Sequence, residues 1–423
     1  MTAIITVQDK INNAKNFINN ISSANTYLAY GRATTWEPTI ETPTANDTVI
    51  PLAVDSILAK KQLRQNLLSL KKIDASNVIL GIRRINYTPS TVYSQYSSYD
   101  NDLFNKDFYV YTTDKNVYKC LYNNQGALST DMPTGTSSII VTSDGYIWRY
   151  MLTLNISDEN NFLTTNYIPV RNTSQSPING QIYTIDVGAV GTGYSFANVA
   201  VNGNGSGCSA IANLSSGSVT SITVTSYGSG YDFAEVVITG DGNGCEAIAN
   251  ISPEGGHGSD LQDELGAFYA IIAPKVSYDE SSKFLVNNDF RQISIIQGIT
   301  VYNSATEYTA SAADATVKVI LANSSSYSDD SLITLYDNSV EVGTAIIVRN
   351  DIPNNTLYLS NILTPTITNT FSLSDGVTTS SVVSVDYPDV DNYSGKILFY
   401  INREPVNRNS LQSETYRFIF DFE

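Results

Sequence analysis

The chain contains a single histidine, so any imidazole chemistry must pass through it. His257 lies in G-G-H-G-S-D, residues 255–260, and Asp263 and Glu264 follow closely. A Ser-His-Asp triad or an imidazole-bearing zinc site would need this ring together with a cluster of Cys, His or Asp. No such cluster accompanies it, and a ring between glycines reads as one that caps a loop or meets a partner. The acids after it, Asp260, Asp263 and Glu264, read as a solvated surface turn. Paired carboxylates are the apparatus of glycoside hydrolysis. With 41 acidic residues some pairs are inevitable, and spacing alone marks none of them.

Other candidates yield to plainer readings. The G-x-G segments lack the Lys-Ser/Thr of a phosphate loop, and no βα unit surrounds them. D-G-N-G at residues 241–244 hints at calcium, but the full set of acidic ligands is missing. Turn chemistry explains these glycines. Cys208 and Cys245 would form a bridge if two copies of a repeat packed with matching faces. Each follows a glycine and stands two residues before an alanine, which suits a small apolar filler better. Trp148, in the middle of a strand pattern, belongs to the core; Trp36, in a loop, is the better contact residue. The expectation is a chain with no catalytic residues, no metal site and no cofactor, and hence not an enzyme.

The elements that hold these residues centre on positions 107–154. D-F-Y-V-Y, then T-T-D-K-N, then V-Y-K-C-L-Y reads as a hairpin of aromatic and β-branched strands. Asp144-Gly145 launches a third strand, residues 146–154. Before this meander, Ile11, Ala14, Phe17, Ile18 and Ile21 recur at helical spacing. Ile57, Leu58, Leu63, Leu67 and Leu68 predict a second helix, and residues 78–87 a strand.

After about residue 177 the composition shifts to Gly, Ser, Val and Thr, and a repeat appears. G-T-G-Y-S-F-A at 191–197 recurs as G-S-G-Y-D-F-A at 228–234, and G-N-G-S-G-C-S-A-I-A-N at 203–213 as G-D-G-N-G-C-E-A-I-A-N at 240–250. The offset is 37 residues throughout, from Tyr194 to Tyr231 and from Cys208 to Cys245. A constant offset means two copies of one supersecondary unit. Strands with glycines at tight bends should make this an all-β insert. A Ser/Thr/Asn-rich stretch at 300–388 predicts a second insert, with strands at 317–321, 332–336, 344–348 and 356–359. The predicted fold is mainly β with a few short helices: a discontinuous β-sandwich core carrying two small all-β inserts. The core pieces are residues 1–176, 255–299 and 389–423; the inserts are 177–254 and 300–388. Strands at 397–401 and 416–422 are expected to pair back onto the core.

At 423 residues the chain is long enough for two or three domains of about 100–200 residues. Charged residues make up 15%, and the balance is strongly acidic, −17. Such a chain offers no phosphate-neutralising face for nucleic acid and no attraction to an anionic membrane. No apolar run approaches the ~20 residues that span a bilayer, and residues 1–10 do not read as a signal peptide. Three cysteines, an odd and sparse set, argue against a disulfide framework and fit a reducing compartment. With 28 Tyr and 14 Phe the chain is well supplied for contact surfaces.

Five marks in order resemble a known family. They are G-R-A-T-T-W (31–36), V-Y-K-C-L (117–121), D-G-Y-I-W-R-Y-M (144–151), D-F-R-Q-I-S-I-I (289–296) and N-R-E-P-V-x-R-x-x-x-Q-x-E (402–414). Together they resemble the dimeric baseplate wedge protein of T-even-type contractile-tailed bacteriophages. G-G-H-G-S-D followed by E-L-G-A-F-Y is similar to versions in marine relatives. The resemblance covers the core segments and not the two inserts. It implies a non-enzymatic homodimer in the virion, assembled in the host cytoplasm, that joins neighbouring wedge proteins of the tail baseplate. Two other readings are a tail-fibre or adhesin subunit binding host surface glycans and a glycan-degrading virion enzyme.

Overall fold

Tyr109, Val110 and Tyr111 alternate sides of a strand, Tyr109–Tyr111, that pairs antiparallel with Asn116–Tyr122. The link between them closes through Thr112 N–H to Asn116 O at 2.9 Å, with Lys115 in the left-handed region. Asn116–Tyr122 pairs in turn with Ile147–Thr153, and a short strand, Ile139–Val141, completes a four-stranded sheet. Asp144 shapes the turn before the third strand. Its carboxylate accepts from the amides of Thr130, Asp131 and Tyr146 at 2.8, 3.1 and 3.2 Å. The meander read from the sequence is present, with one added edge strand. One face of the sheet packs Val110, Tyr118, Cys120 and Trp148 into a buried aromatic cluster. Trp148 is fully buried, as expected.

The computed structural model describes residues 4–39, 42–286, 288–324, 326–363, 366–409 and 411–423. It is mainly β, with several sheets and four α-helices among the described residues. The chain divides into two compact units. One holds Met1–Asn16, Ile79–Ile271 and Phe418–Glu423; the other holds Phe17–Val78 and Ile272–Arg417.

In the first unit, strands from Ile182 to Ile251 form a six-stranded sheet by themselves. The two repeat copies interlock in it. Ala197–Gly203 of the first copy pairs with Ala234–Gly240 of the second, and Ile182–Thr192 pairs with Asn243–Ile251. The glycines shared by the two copies have a steric cause. A Cβ on Gly242 would meet Tyr194 Cγ at 2.5 Å, and one on Gly205 would meet Tyr231 Cγ at 2.4 Å. Each ring therefore lies on a glycine of the other copy. The turn between Gly240 and Asn243 is held the same way: Asp241 accepts from the amides of Ser195 and Phe196 at 2.8 and 3.2 Å. Asn204, its counterpart, accepts from Asp232 and Phe233 at 2.9 and 3.3 Å. The calcium-like D-G-N-G is a turn whose acid is already engaged. Cys208 and Cys245 are free, half-buried thiols packed against this insert's core.

A second sheet of this unit has the order Phe418–Asp421, Tyr269–Ile272, Val78–Arg83, Tyr167–Val170. Behind it, Ile11 of the helix Val7–Ser23 packs with Phe268 and Tyr269.

The second unit is built on a five-stranded sheet with the order Ala312–Asp314, Leu67–Ile73, Thr26–Gly31, Asp289–Gln297, Lys396–Asn407. Its central strand Thr26–Gly31 is buried throughout. Six strands between Val317 and Asp386 close into a barrel, with Val319, Ile333, Leu335, Ile347, Leu357 and Leu373 buried inside.

Two expectations need correction. The second helix, Ile57–Gln65, is short; Leu67 and Leu68 belong to the strand after it, and Ile57 and Leu58 are exposed. Asn66 ends the helix, so the leucine stripe changes period at that point. The closing strands return to core segments as expected, but to residues 269–297 and not to the sheet of Ile147–Thr153, the meander around which the core was expected to gather. Lys396–Asn407 pairs with Asp289–Gln297, and Phe418–Asp421 lies beside Tyr269–Ile272. Matching edges and apolar faces were available in more than one sheet, and local pattern does not choose among them.

Candidate functional site

The second face of the meander carries the chain's most unusual chemistry. Lys119 sits in the middle strand, with Tyr109 opposite it on one side and Arg149 on the other. The alternation that sends Tyr118 and Cys120 into the core sends Lys119 the other way. Yet Lys119 is fully buried and Arg149 only 4% exposed. What covers them is the segment after the six-stranded insert, residues 253–265.

That segment is shaped by its own sequence. Gly255, Gly256 and Gly258 all have positive φ, so the loop around His257 turns tightly. Asp260 caps the helix Leu261–Leu265, accepting from Gln262 and Asp263 at 2.9 and 3.0 Å, and Gly266 ends it in the left-handed conformation. Leu261, Glu264 and Leu265 fall on one helical face, and that face is buried. Glu264 is thereby carried inward.

The Glu264 carboxylate is held at both oxygens. Its Oε1 accepts from the Gly258 and Ser259 amides at 2.6 and 2.9 Å. Its Oε2 contacts Lys119 Nζ directly. His257 Nδ1 lies 3.7 Å from the same oxygen and has no hydrogen-bond partner among the described residues. The imidazole stands edge-on to Tyr96, ring centres 4.7 Å apart, and Lys119 Nζ lies 5.1 Å from the centre of the Tyr96 ring. Arg149 donates to Gln175 O.

Burial governs the protonation states. It drives the His257 pKa down to about 3, assisted by the positive Lys119, so the ring is neutral. Burial alone would raise the pKa of Glu264, but Lys119 reverses this and holds it at about 2. Burial also lowers the Lys119 pKa, against the pull of Glu264. The site is one coupled ion pair in a dry setting with a neutral imidazole beside it. A cavity of ≈430 Å³, bordered by Tyr96, Ser97, Lys119 and Glu264, adjoins it.

The sequence-predicted residues fall as follows. His257 is buried, between glycines as read, and its ring packs inside the unit rather than on its surface. Glu264 is a correction: it is buried and paired, not part of a solvated turn. Asp260 and Asp263 remain partly exposed and flank Lys15, which lies 2.8 Å from Asp263. Trp36 is a second correction. It is 7% exposed, its Nε1 donates to Arg403 O at 3.0 Å, and the Arg32 guanidinium covers its ring at 4.5 Å. Lys119 and Arg149 were not singled out by sequence reasoning. The available signal was a cation at an inward-alternating position of each of two adjacent strands.

No group of three or more His, Cys, Asp or Glu side chains is placed to hold a metal among the described residues. No described helix is long and apolar enough to cross a membrane. No family model matches the chain, and the search of curated proteins gave no match.

Proposed function

We propose that this protein is a structural subunit of a phage tail baseplate wedge, acting as a homodimer that links neighbouring wedge proteins through protein–protein interfaces. The observation that carries the reading is the convergence of marks far apart in the chain. Within the second unit, three of the five meet at one place. Arg291 of D-F-R-Q-I-S-I-I donates to Ala33 O in the G-R-A-T-T-W segment. Trp36 of that segment donates to Arg403 O in the C-terminal mark. Arg291 also binds Asp47 through two parallel contacts of 2.8 Å. Two further marks pair as neighbouring strands, Cys120 opposite Trp148. The marked segments thus touch one another in two groups within the fold.

The polar side chains support an assembly role. Arg291, Lys119, Glu264, Asp144 and Asp241 are each engaged in holding the chain's own segments together. Large apolar side chains remain outside. Leu52, Ile57 and Leu58, close in sequence, are 84, 79 and 66% exposed. Apolar residues left on the surface in this way suit contact with another protein. A stable obligate interface would bury on the order of 2,000 Å² or more.

Sedimentation equilibrium of the purified chain at micromolar concentration tests the reading; a dimer is expected, and a monomer alone counts against it. Co-sedimentation with other wedge proteins of a contractile-tail baseplate is the second arm. Failure to bind any of them, together with cleavage of a host surface polysaccharide, would overturn it.

A further inference from the structure

We propose that Lys119 and Glu264 react with one another to form an internal isopeptide bond, tying the middle strand of the meander to the helix that follows the six-stranded insert. The inference stands on four features of the buried cluster. The amine and the carboxyl group are already in contact, at 0% and 4% side-chain exposure. The second carboxyl oxygen, Oε1, receives two backbone N–H groups, from Gly258 and Ser259 at 2.6 and 2.9 Å. Such a pair of donors is what stabilises the oxyanion of a tetrahedral intermediate. His257 Nδ1, on a neutral ring and without a hydrogen-bond partner among the described residues, stands 3.7 Å from Oε2. Arg149, directly across the ladder from Lys119, adds a second positive charge that disfavours the ammonium form.

The chemistry balances without any oxidant or cofactor. One proton passes from Nζ to Oε2, giving a neutral amine and a neutral acid; the ion pair is the resting state, and burial, which disfavours both charged forms, lowers the cost of reaching the neutral one. The Nζ lone pair then attacks Glu264 Cδ, and the negative charge gathers on Oε1 between the two amides. Nζ releases a second proton, which His257 Nδ1 accepts and delivers to Oε2. The Cδ–Oε2 bond breaks, and Oε2 leaves as water into the adjoining cavity. The product is a secondary amide between Nζ and Cδ plus one water. Burial of the reacting side chains, 0% and 4% exposed, limits the approach of water to Cδ and so favours condensation over the reverse reaction. The role of His257 is to relay that proton, so its loss should slow the bond's formation and leave the product unchanged.

The experiment is mass analysis of the intact, denatured full-length chain, followed by peptide mapping. The expected chain is lighter than its sequence by one water, and its digest contains a branched peptide joining the segment around Lys119 to that around Glu264. The digest is essential, because succinimide formation at Asp144-Gly145, Asp241-Gly242 or Asp375-Gly376 also removes one water. Loss of water without the branched peptide overturns the proposal, and so does a chain of full sequence mass with Lys119 and Glu264 in separate, unmodified peptides. Lys119→Met should restore the full mass; if that variant fails to fold, the wild-type digest alone decides. In His257→Ala, freshly folded, the branched fraction should fall several-fold and rise with time. An unchanged rate of formation in that variant removes the imidazole from the mechanism.

Discussion

At the scale of single residues, burial rather than residue type decides behaviour. His257 would carry a proton in the unfolded chain below about pH 6.5, but in the folded chain it stays neutral down to about 3. Its folded pKa is lowered, so the unfolded state binds the extra proton first. Stability is therefore complete above 6.5 and falls as pH drops from 6.5 towards 3. The expected loss is on the order of a few kcal/mol across that window. Urea midpoints from pH 7.5 to 4 should show this slope, and His257→Gln should flatten it. Glu264 contributes in the same direction. Its folded pKa of about 2 lies below the ordinary value of 4.5, so stability is lost as pH falls from 4.5 towards 2. That second component belongs to the free carboxylate, and it disappears in a chain whose Lys119–Glu264 amide has formed.

Asp144 offers a contrasting case. Hydrogen bonds from Thr142 and from the amides of Asp131, Tyr146 and Thr130 hold its pKa at about 2 although partial burial opposes them. Asp144→Ala leaves three amides without their acceptor and should cost on the order of 2 kcal/mol. A drop in the urea midpoint without change of slope would show it. A shift under about 0.5 kcal/mol would mean that water replaces the carboxylate.

At the scale of elements, the tandem insert shows why a repeat is read so easily and its partnership is not. Strand alternation and glycine turns are local, and both are visible in the 37-residue offset. The exchange of rings between copies is not local. Tyr194 lies over Gly242 and Tyr231 over Gly205, so each copy completes the other. Gly242→Ala and Gly205→Ala should each destabilise the insert by roughly 1–3 kcal/mol, because the new methyl meets the root of a ring. Gly188→Ala, in the same sheet, outside the left-handed region and with only Glu246 O at 3.8 Å from the new methyl, is the control. Equal losses at all three sites would refute the ring-on-glycine account.

The helix Leu261–Leu265 repeats this lesson on a smaller scale. Asp260 as a cap, Gly266 as a stop and the Leu261/Leu265 spacing are all local signals. The same spacing places Glu264 on the apolar side, a clue that the acidic run around it conceals.

At the scale of the whole molecule, Leu52, Ile57 and Leu58 are exposed apolar side chains close in sequence, and the proposed assembly is tested there. A triple substitution to Asp leaves no cavity in the folded chain, so the thermal midpoint should stay within a few degrees. Dimer or wedge assembly, read by sedimentation, should weaken by at least tenfold. Unchanged assembly would move the interface elsewhere. The final strand, Phe418–Asp421, lies beside Tyr269–Ile272 in the first unit. Removal of residues 418–423 should therefore lower the thermal midpoint. No change would show that this edge adds little to stability.

The sequence alone determined the mainly β character, the meander, the first helix, the repeat and most of the barrel's strands. These follow from alternation, helical spacing and turn residues, each of which acts over a few neighbours. Tertiary structure decided which strands share a sheet, and it buried Trp36 beneath Arg32 and Glu264 against Lys119. Glu264 and Lys119 are 145 residues apart in the chain. A carboxylate looks the same in sequence whether water or an ammonium group will surround it; only the packing of distant segments removes the water and makes the difference.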